Sequence, residues 1–344
     1  MEQITITRPD DWHLHVRTGA MLKTVIPHTA RQFSRAIIMP NLTPPVSTVE
    51  RAEQYHQEII QAIPENLNFQ PLMTLYLTDS TTVTEIKKAA ESPIIFACKL
   101  YPAGATTNSD SGVSNISHIA AVLESMQEHD IPLLIHGEIT DPECDIFDRE
   151  KVFVETILAK ITADFPALRI VLEHVTTVEA VQFVQDASEK IAATITPQHL
   201  MFNRNAILAG GIRPHHYCLP IIKREKHRLA IIAAATSGHS KFFLGTDSAP
   251  HLQSRKENSC GCAGCYSAHA AIELYAEVFD DVDKLDNLEA FASFNGADFY
   301  GLPRNTEKIT LRRNNWIAPE YYLVDNDRLI PLQAGKSISW QLTE

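Results

Sequence analysis

One rhythm limits what this chain can fold into more than any other feature. Apolar runs of strand length recur, and a stretch of helical length follows each. The runs are 4–16 (ITIT to HLHV), 35–40 (RAIIMP), 69–77 (FQPLMTLYL), 93–101 (PIIFACKLY), 131–138 (IPLLIHGE), 168–175 (LRIVLEHV), 190–196 (KIAATIT) and 241–247 (KFFLGTD). Between them stand amphipathic segments such as VERAEQYHQEIIQAI and EKVFVETILAKITADF, whose apolar residues return at helical spacing. Strands and helices alternating eight times predict an α/β fold, a closed (β/α)8 TIM-type barrel with its helices outside. The alternative is an open doubly wound sheet, but no GxGxxG fingerprint marks a switch point. After the eighth run come two more helical patterns, and the tail from about 303 alternates as short strands (KITLRR, WIAPEYYLV, SISWQL). Residues 1–344 therefore read as one barrel domain, with 303–344 as a small C-terminal β extension capping it.

Composition excludes several classes of partner. The 344 residues are 44% hydrophobic and 21% charged, ordinary for a globular chain with a large core. The formal charge is −12, a surface that repels nucleic-acid phosphates and anionic lipid, so neither is expected as a partner. The start, MEQITITRPDD, has no basic region followed by an apolar run, and no apolar run approaches the roughly 18–20 residues of a membrane span. Six cysteines (Cys98, Cys144, Cys218, Cys260, Cys262 and Cys265) read as thiols of a reducing compartment, which points to the cytoplasm.

The polar residues at the strand ends carry the chemistry. In DDWHLHVR, His13 and His15 stand two apart, which on a strand puts both imidazoles on one face. In a barrel of this kind the active site lies at the carboxyl ends of the strands. Those ends also carry Asn41, Lys99, His136, His174 and Asp247. Singly, each has a plain explanation: a core histidine with its bonds satisfied, a surface lysine, an aspartate capping a turn. Together, four histidines, a lysine and an aspartate at the same end of separate strands point to one site. Imidazole and carboxylate suit zinc and similar divalent ions. An ammonium would repel a cation, but a lysine carboxylated by carbon dioxide offers two anionic oxygens, able to bridge ions held about 3.5–4 Å apart.

The motifs DWHLHVR, MPNLTPP, KLYPAGATTNS, IHGE, LEHVTT, TPQHL, GTDSAPH and GCAGC span residues 11 to about 265. They resemble the amidohydrolase superfamily and, within it, the short, separate-enzyme dihydroorotase family. The resemblance implies the barrel read above and a centre of two Zn2+ ions. His13, His15 and Asp247 would hold one, His136 and His174 the other, and N6-carboxylated Lys99 would bridge them. It implies the reversible, metal-dependent cyclisation of N-carbamoyl-L-aspartate to L-dihydroorotate plus water, in de novo pyrimidine (UMP) biosynthesis. Asp247 would carry the proton to and from the ring nitrogen. Arg17 lies two residues past His15 and can offer a bidentate fork to the substrate carboxylate. Asn41 and His251 would join it, with Thr106 and Thr107 on a lid (104–112), backbone groups of Leu219 and Ala263 at the ring, and His15 and His136 also in contact. A small-molecule substrate and a homodimer are the implied partners.

Two other readings compete. One is a different cyclic-amide hydrolase of the same superfamily, hydantoinase-like; Arg17 and Asn41 argue instead for a substrate bearing a carboxylate. The other is a non-catalytic scaffold relative, which should have lost ligands that this chain keeps. A structural zinc at SCGCAGC is disfavoured, because Cys260, Cys262 and Cys265 have no obvious fourth ligand.

Overall fold

The computed structural model describes residues 2–343. The chain opens with β1 (Gln3–Thr7) and β2 (Asp11–Leu14). There follow β3 (Arg35–Ile38), β4 (Gln70–Tyr76), β5 (Ile95–Leu100), β6 (Leu133–Ile135), β7 (Ile170–Leu172), β8 (Ile191–Ile195) and β9 (Phe242–Leu244). Strands β2 to β9 form one parallel eight-stranded sheet in chain order, with helices between them. Threonine N-caps start four of those helices: the side chains of Thr48, Thr82, Thr177 and Thr196 each accept a backbone N–H three residues on.

The sheet closes on itself at a seam. Asp247 N–H donates to the His13 carbonyl at 2.9 Å, and His15 N–H to the Ser248 carbonyl at 3.2 Å. Below them the buried carboxylate of Asp11 ties the last strand to the first. It accepts Thr246 N–H at 2.9 Å, Thr246 Oγ1–H at 2.6 Å and His13 N–H at 3.1 Å. Gly245 permits this approach, since a Cβ there would lie 2.7 Å from Thr194 Cβ and 3.1 Å from His13 Cβ.

Alternation sorts the strands into two packing layers. Each of the eight contributes one residue to an inner cluster: Trp12, Ile37, Leu72, Ala97, Leu134, Val171, Ala192 and Phe243. Tyr300 closes its floor by stacking on Trp12, ring centroids 4.6 Å apart. The chain neighbours, such as Ala36, Cys98, Leu133 and Ile170, face the helices in the main core. Two residues beyond Ala97 comes Lys99, and two beyond Leu134 comes His136. The apolar floor therefore predicts a polar storey directly above it, towards the carboxyl ends.

The run 4–16, expected as one strand, is two. Pro9 supplies no N–H and fixes its φ, so the ladder stops between β1 and β2. Strand β1 leaves the barrel and pairs antiparallel with β10 (Lys308–Ile317), which pairs with β13 (Ser337–Thr343). The tail thus builds its sheet around the start of the chain. Rather than capping the barrel alone, it lies along helix Ala271–Asp281, where Ser339 N–H donates to Glu277 Oε1 at 2.6 Å. The expected strand WIAPEYYLV is also broken, at Pro319, and its second half forms a hairpin, β11 (Tyr322–Val324) with β12 (Asp327–Leu329).

The seam yields a stability prediction. Asp11→Ala leaves the Thr246 and His13 backbone N–H groups buried without their acceptor and should cost about 3 kcal/mol. At about 2–4 °C per kcal/mol for a large domain, the melting temperature should fall by roughly 6–12 °C in differential scanning fluorimetry. An unchanged midpoint would mean that the carboxylate does not hold the seam.

Candidate metal centre and active site

Seam closure brings three ligand atoms together. His13 Nε2 and His15 Nε2 are 3.3 Å apart, and Asp247 Oδ1 lies 3.3 Å from the first and 3.1 Å from the second. His13 sits within β2, His15 just beyond it and Asp247 three residues past β9. His174 follows β7, with its ring 5.0 Å from that of His13 and 4.8 Å from that of His136, at the end of β6. Lys99, fully buried on β5, touches the carboxylate of Glu173. All six residues expected at the centre therefore converge on one mouth of the barrel.

The backbone is bent to do this. His174 has φ +44° and Asp247 φ +43°, the left-handed region that side chains with a Cβ rarely adopt. Arg17, at φ +59°, shares it. Strain of this kind gathers where the surrounding structure fixes a functional side chain.

Burial sets the charges. It drives the Lys99 amine well below its ordinary range, despite the Asp247 charge. It also lowers His15 to about 3 and holds His13, His136 and His174 below the usual imidazole value. Burial alone would raise the Asp247 carboxyl, but the imidazoles of His13 and His15 outweigh it and hold the group well below the usual carboxylate range. The result is neutral imidazoles around an ionised carboxylate, the protonation states that metal ligands require.

The expected substrate residues surround the same mouth. Arg17, Asn41, Thr106, Thr107, Leu219 and Ala263 line a cavity shared with His13, His15, His136, His174 and Asp247. Arg17 Nη2 donates to His251 Nε2 at 3.2 Å. Burial and the adjacent Arg17 lower His251 to about 2, so its ring is a neutral acceptor. Asn41 Oδ1 meets His15 Nδ1 at 2.8 Å, while its Nδ2 donates to the Thr107 carbonyl at 3.2 Å. Thr107 Oγ1 donates to the Ala263 carbonyl at 3.3 Å. The 104–112 loop is therefore docked on the site, and the enclosed cavity is about 20 Å3, room for roughly one water.

Three polar residues here were not singled out from the sequence. Glu173 lies 3.0 Å from His13 Nδ1 and touches Lys99. Glu138 accepts from His136 Nε2 at 2.9 Å, orienting that ring. Tyr101 lines the cavity with a buried hydroxyl that has no hydrogen-bond partner. The signal for Glu173 was available: it stands two residues beyond Val171, an inner-layer position, so alternation points it inward. The cysteines are all free thiols, and among the described residues none joins a cluster able to hold a metal. Among the described residues, no helix is long and apolar enough to cross a membrane.

Comparison with known proteins places the chain in a family. The model of the amidohydrolase family matches residues 7–314. A dihydroorotase of Picosynechococcus is 62% identical over 341 residues, covering 99% of both chains. The crystal structure of the Campylobacter jejuni dihydroorotase superposes with a TM-score of 0.92 at 36% identity, covering 100% of this chain and 98% of that one. The dihydroorotase of Saccharomyces cerevisiae, solved in complex with 5-fluoroorotic acid, gives 0.91 at 34% identity, with 100% and 99% covered. A parallel barrel with a histidine–aspartate cluster at its carboxyl mouth, matched along its whole length, leaves one assignment: the chain belongs to the amidohydrolase family and, within it, to the dihydroorotases.

Proposed function

We propose that the chain catalyses the reversible cyclisation of N-carbamoyl-L-aspartate to L-dihydroorotate, as a metal-dependent cyclic-amide hydrolase of pyrimidine biosynthesis. The observation that carries this is the triangle of His13, His15 and Asp247 beside an arginine fork in one buried mouth. Its edges of 3.1–3.3 Å fit donors placed around one ion. Tetrahedral ligands about 2.1 Å from zinc stand roughly 3.3–3.5 Å apart. Buried His174 Nδ1 lacks a hydrogen-bond partner, which also fits a nitrogen left free for an ion.

In this reading His13, His15 and Asp247 would hold one Zn2+ and His136 and His174 the other. Lys99 would serve both as its carbamate, formed when the neutral amine adds carbon dioxide and releases a proton. When bound, such ions lower the pKa of water to about 7 and polarise the amide carbonyl. The protein supplies the rest. Arg17, held against His251, presents its guanidinium to the substrate carboxylate, and the Asn41 side chain of the same cavity joins it. Asp247 turns Oδ1 to the two imidazoles, so Oδ2 is the oxygen left to take a proton and pass it to the ring nitrogen. Thr106 and Thr107 close over the substrate and exclude water, and backbone groups at Leu219 and Ala263 meet the ring edge. A hydantoinase-like substrate would leave the half-buried Arg17 guanidinium without a carboxylate of the substrate to pair with. The free cysteines support the cytoplasm, and the family resemblance alone supports a homodimer.

Two substitutions test the assignment. Lys99→Ala should abolish turnover and lower bound metal from about two ions to one or fewer, read by elemental analysis of purified protein; full activity in that variant would remove the bridging lysine from the mechanism. Arg17→Ala should raise KM for dihydroorotate about 10- to 100-fold, the loss of a charged hydrogen-bond pair, with metal content unchanged. Metal loss instead would place Arg17 in the ion site rather than the substrate site.

A further inference from the structure

A second polar cavity lies outside the barrel mouth and shares none of its lining residues. Its volume is about 230 Å3. It sits between the end of helix Gly19–Ala30, the start of helix Ala271–Asp281 and the C-terminal strands. His28 and Tyr322 form one wall, with ring centroids 4.4 Å apart, and Trp316 extends it. His269 lies 6.2 Å from Tyr322 and is 2% exposed, yet neither of its ring nitrogens has a hydrogen-bond partner. Glu273 is fully buried, and its Oε2 is also without a partner. Its Oε1 takes Arg31 Nη2 at 3.0 Å. Arg31 is 37% exposed at its side chain, so the cavity opens to solvent beside it.

Buried polar atoms with no partner are rare, and three belong to the two residues His269 and Glu273 that line this cavity. We infer that this cavity binds a small, uncharged nitrogen heterocycle carrying at least one N–H donor and one acceptor on its rim. The aromatic wall supplies stacking faces for a planar ring. Glu273 Oε2 requires a donor. A neutral imidazole at His269 offers one donor and one acceptor, so it reads both kinds of group. Burial keeps His269 and His28 neutral, near 3 and 4, so neither attracts an anion. The one cation on the lining, Arg31, is already paired with Glu273, which sets the site against anions and leaves no net charge to hold a cation. At His28, Nδ1 and the Tyr266 hydroxyl share a hydrogen bond of 2.5 Å, which leaves only Nε2 for a further partner.

The test is ligand-observed NMR with cytosine as the probe, on the metal-loaded wild-type enzyme. Saturable binding is expected, retained in Arg17→Ala and not displaced by dihydroorotate. His269→Leu and Tyr322→Leu should each weaken it at least about tenfold, a loss near 1.4 kcal/mol, while ring-opening activity persists. Tyr322 is only half-buried, so that variant carries the test should His269→Leu fail to fold. Binding that is not saturable, that survives both substitutions or that dihydroorotate displaces would overturn the inference. So would a high-resolution crystal soaked with cytosine that shows only ordered water against His269 and Glu273.

Discussion

The seam where β9 meets β2 is the interaction on which everything else depends. A parallel sheet of eight strands closes only if the last strand finds the first, and here the joining backbone bonds belong to His13, His15, Asp247 and Ser248. Closure and assembly of the site are thus one event. The carbonyl that accepts Asp247 N–H belongs to His13, so pairing the backbones sets two of the ligand side chains face to face. Asp11 and Thr246 lock the register below, and Gly245 gives the room. A shift at this seam would move Asp247 away from both imidazoles together.

Above the seam the interior changes from apolar to ionic within one storey. Trp12, Ala97, Leu134 and Val171 belong to the floor; Lys99, His136 and Glu173 stand two residues further along their strands. Burying a lysine against a glutamate at full depth is expensive in an apolar interior. The barrel tolerates it where many dipoles and neutral imidazoles surround the pair. The same region holds the left-handed His174 and Asp247, so electrostatic cost and backbone strain gather in one place. A molecule built for stability alone would have filled this level with valine and leucine.

Much of this was legible from residue order. Periodicity pointed to the barrel, and the type of residue at each strand end picked out six side chains that the fold brings to one mouth. What stayed hidden depended on long-range pairing. Pro9 splits the first run, but no local pattern says that Gln3–Thr7 will pair with a strand three hundred residues away. Glu173 was readable by alternation but overshadowed by the histidine beside it, whose side chain enters the site through a left-handed bend instead of the strand pleat. Glu138 and Tyr101 matter only because they meet His136 and the cavity in three dimensions. The cavity at His269 joins residues from both ends of the chain, so no window of sequence contains it.

X-ray data collected at the zinc absorption edge test directly whether the converged mouth surrounds ions bridged by a carboxylated Lys99. Two anomalous peaks are expected, roughly 3.5–4 Å apart, one among His13, His15 and Asp247 and one beside His136 and His174. Continuous density should extend past Lys99 Nζ to both. A bare Lys99 amine paired with Glu173, with no peak inside the His13–His15–Asp247 triangle in zinc-loaded protein, would contradict it.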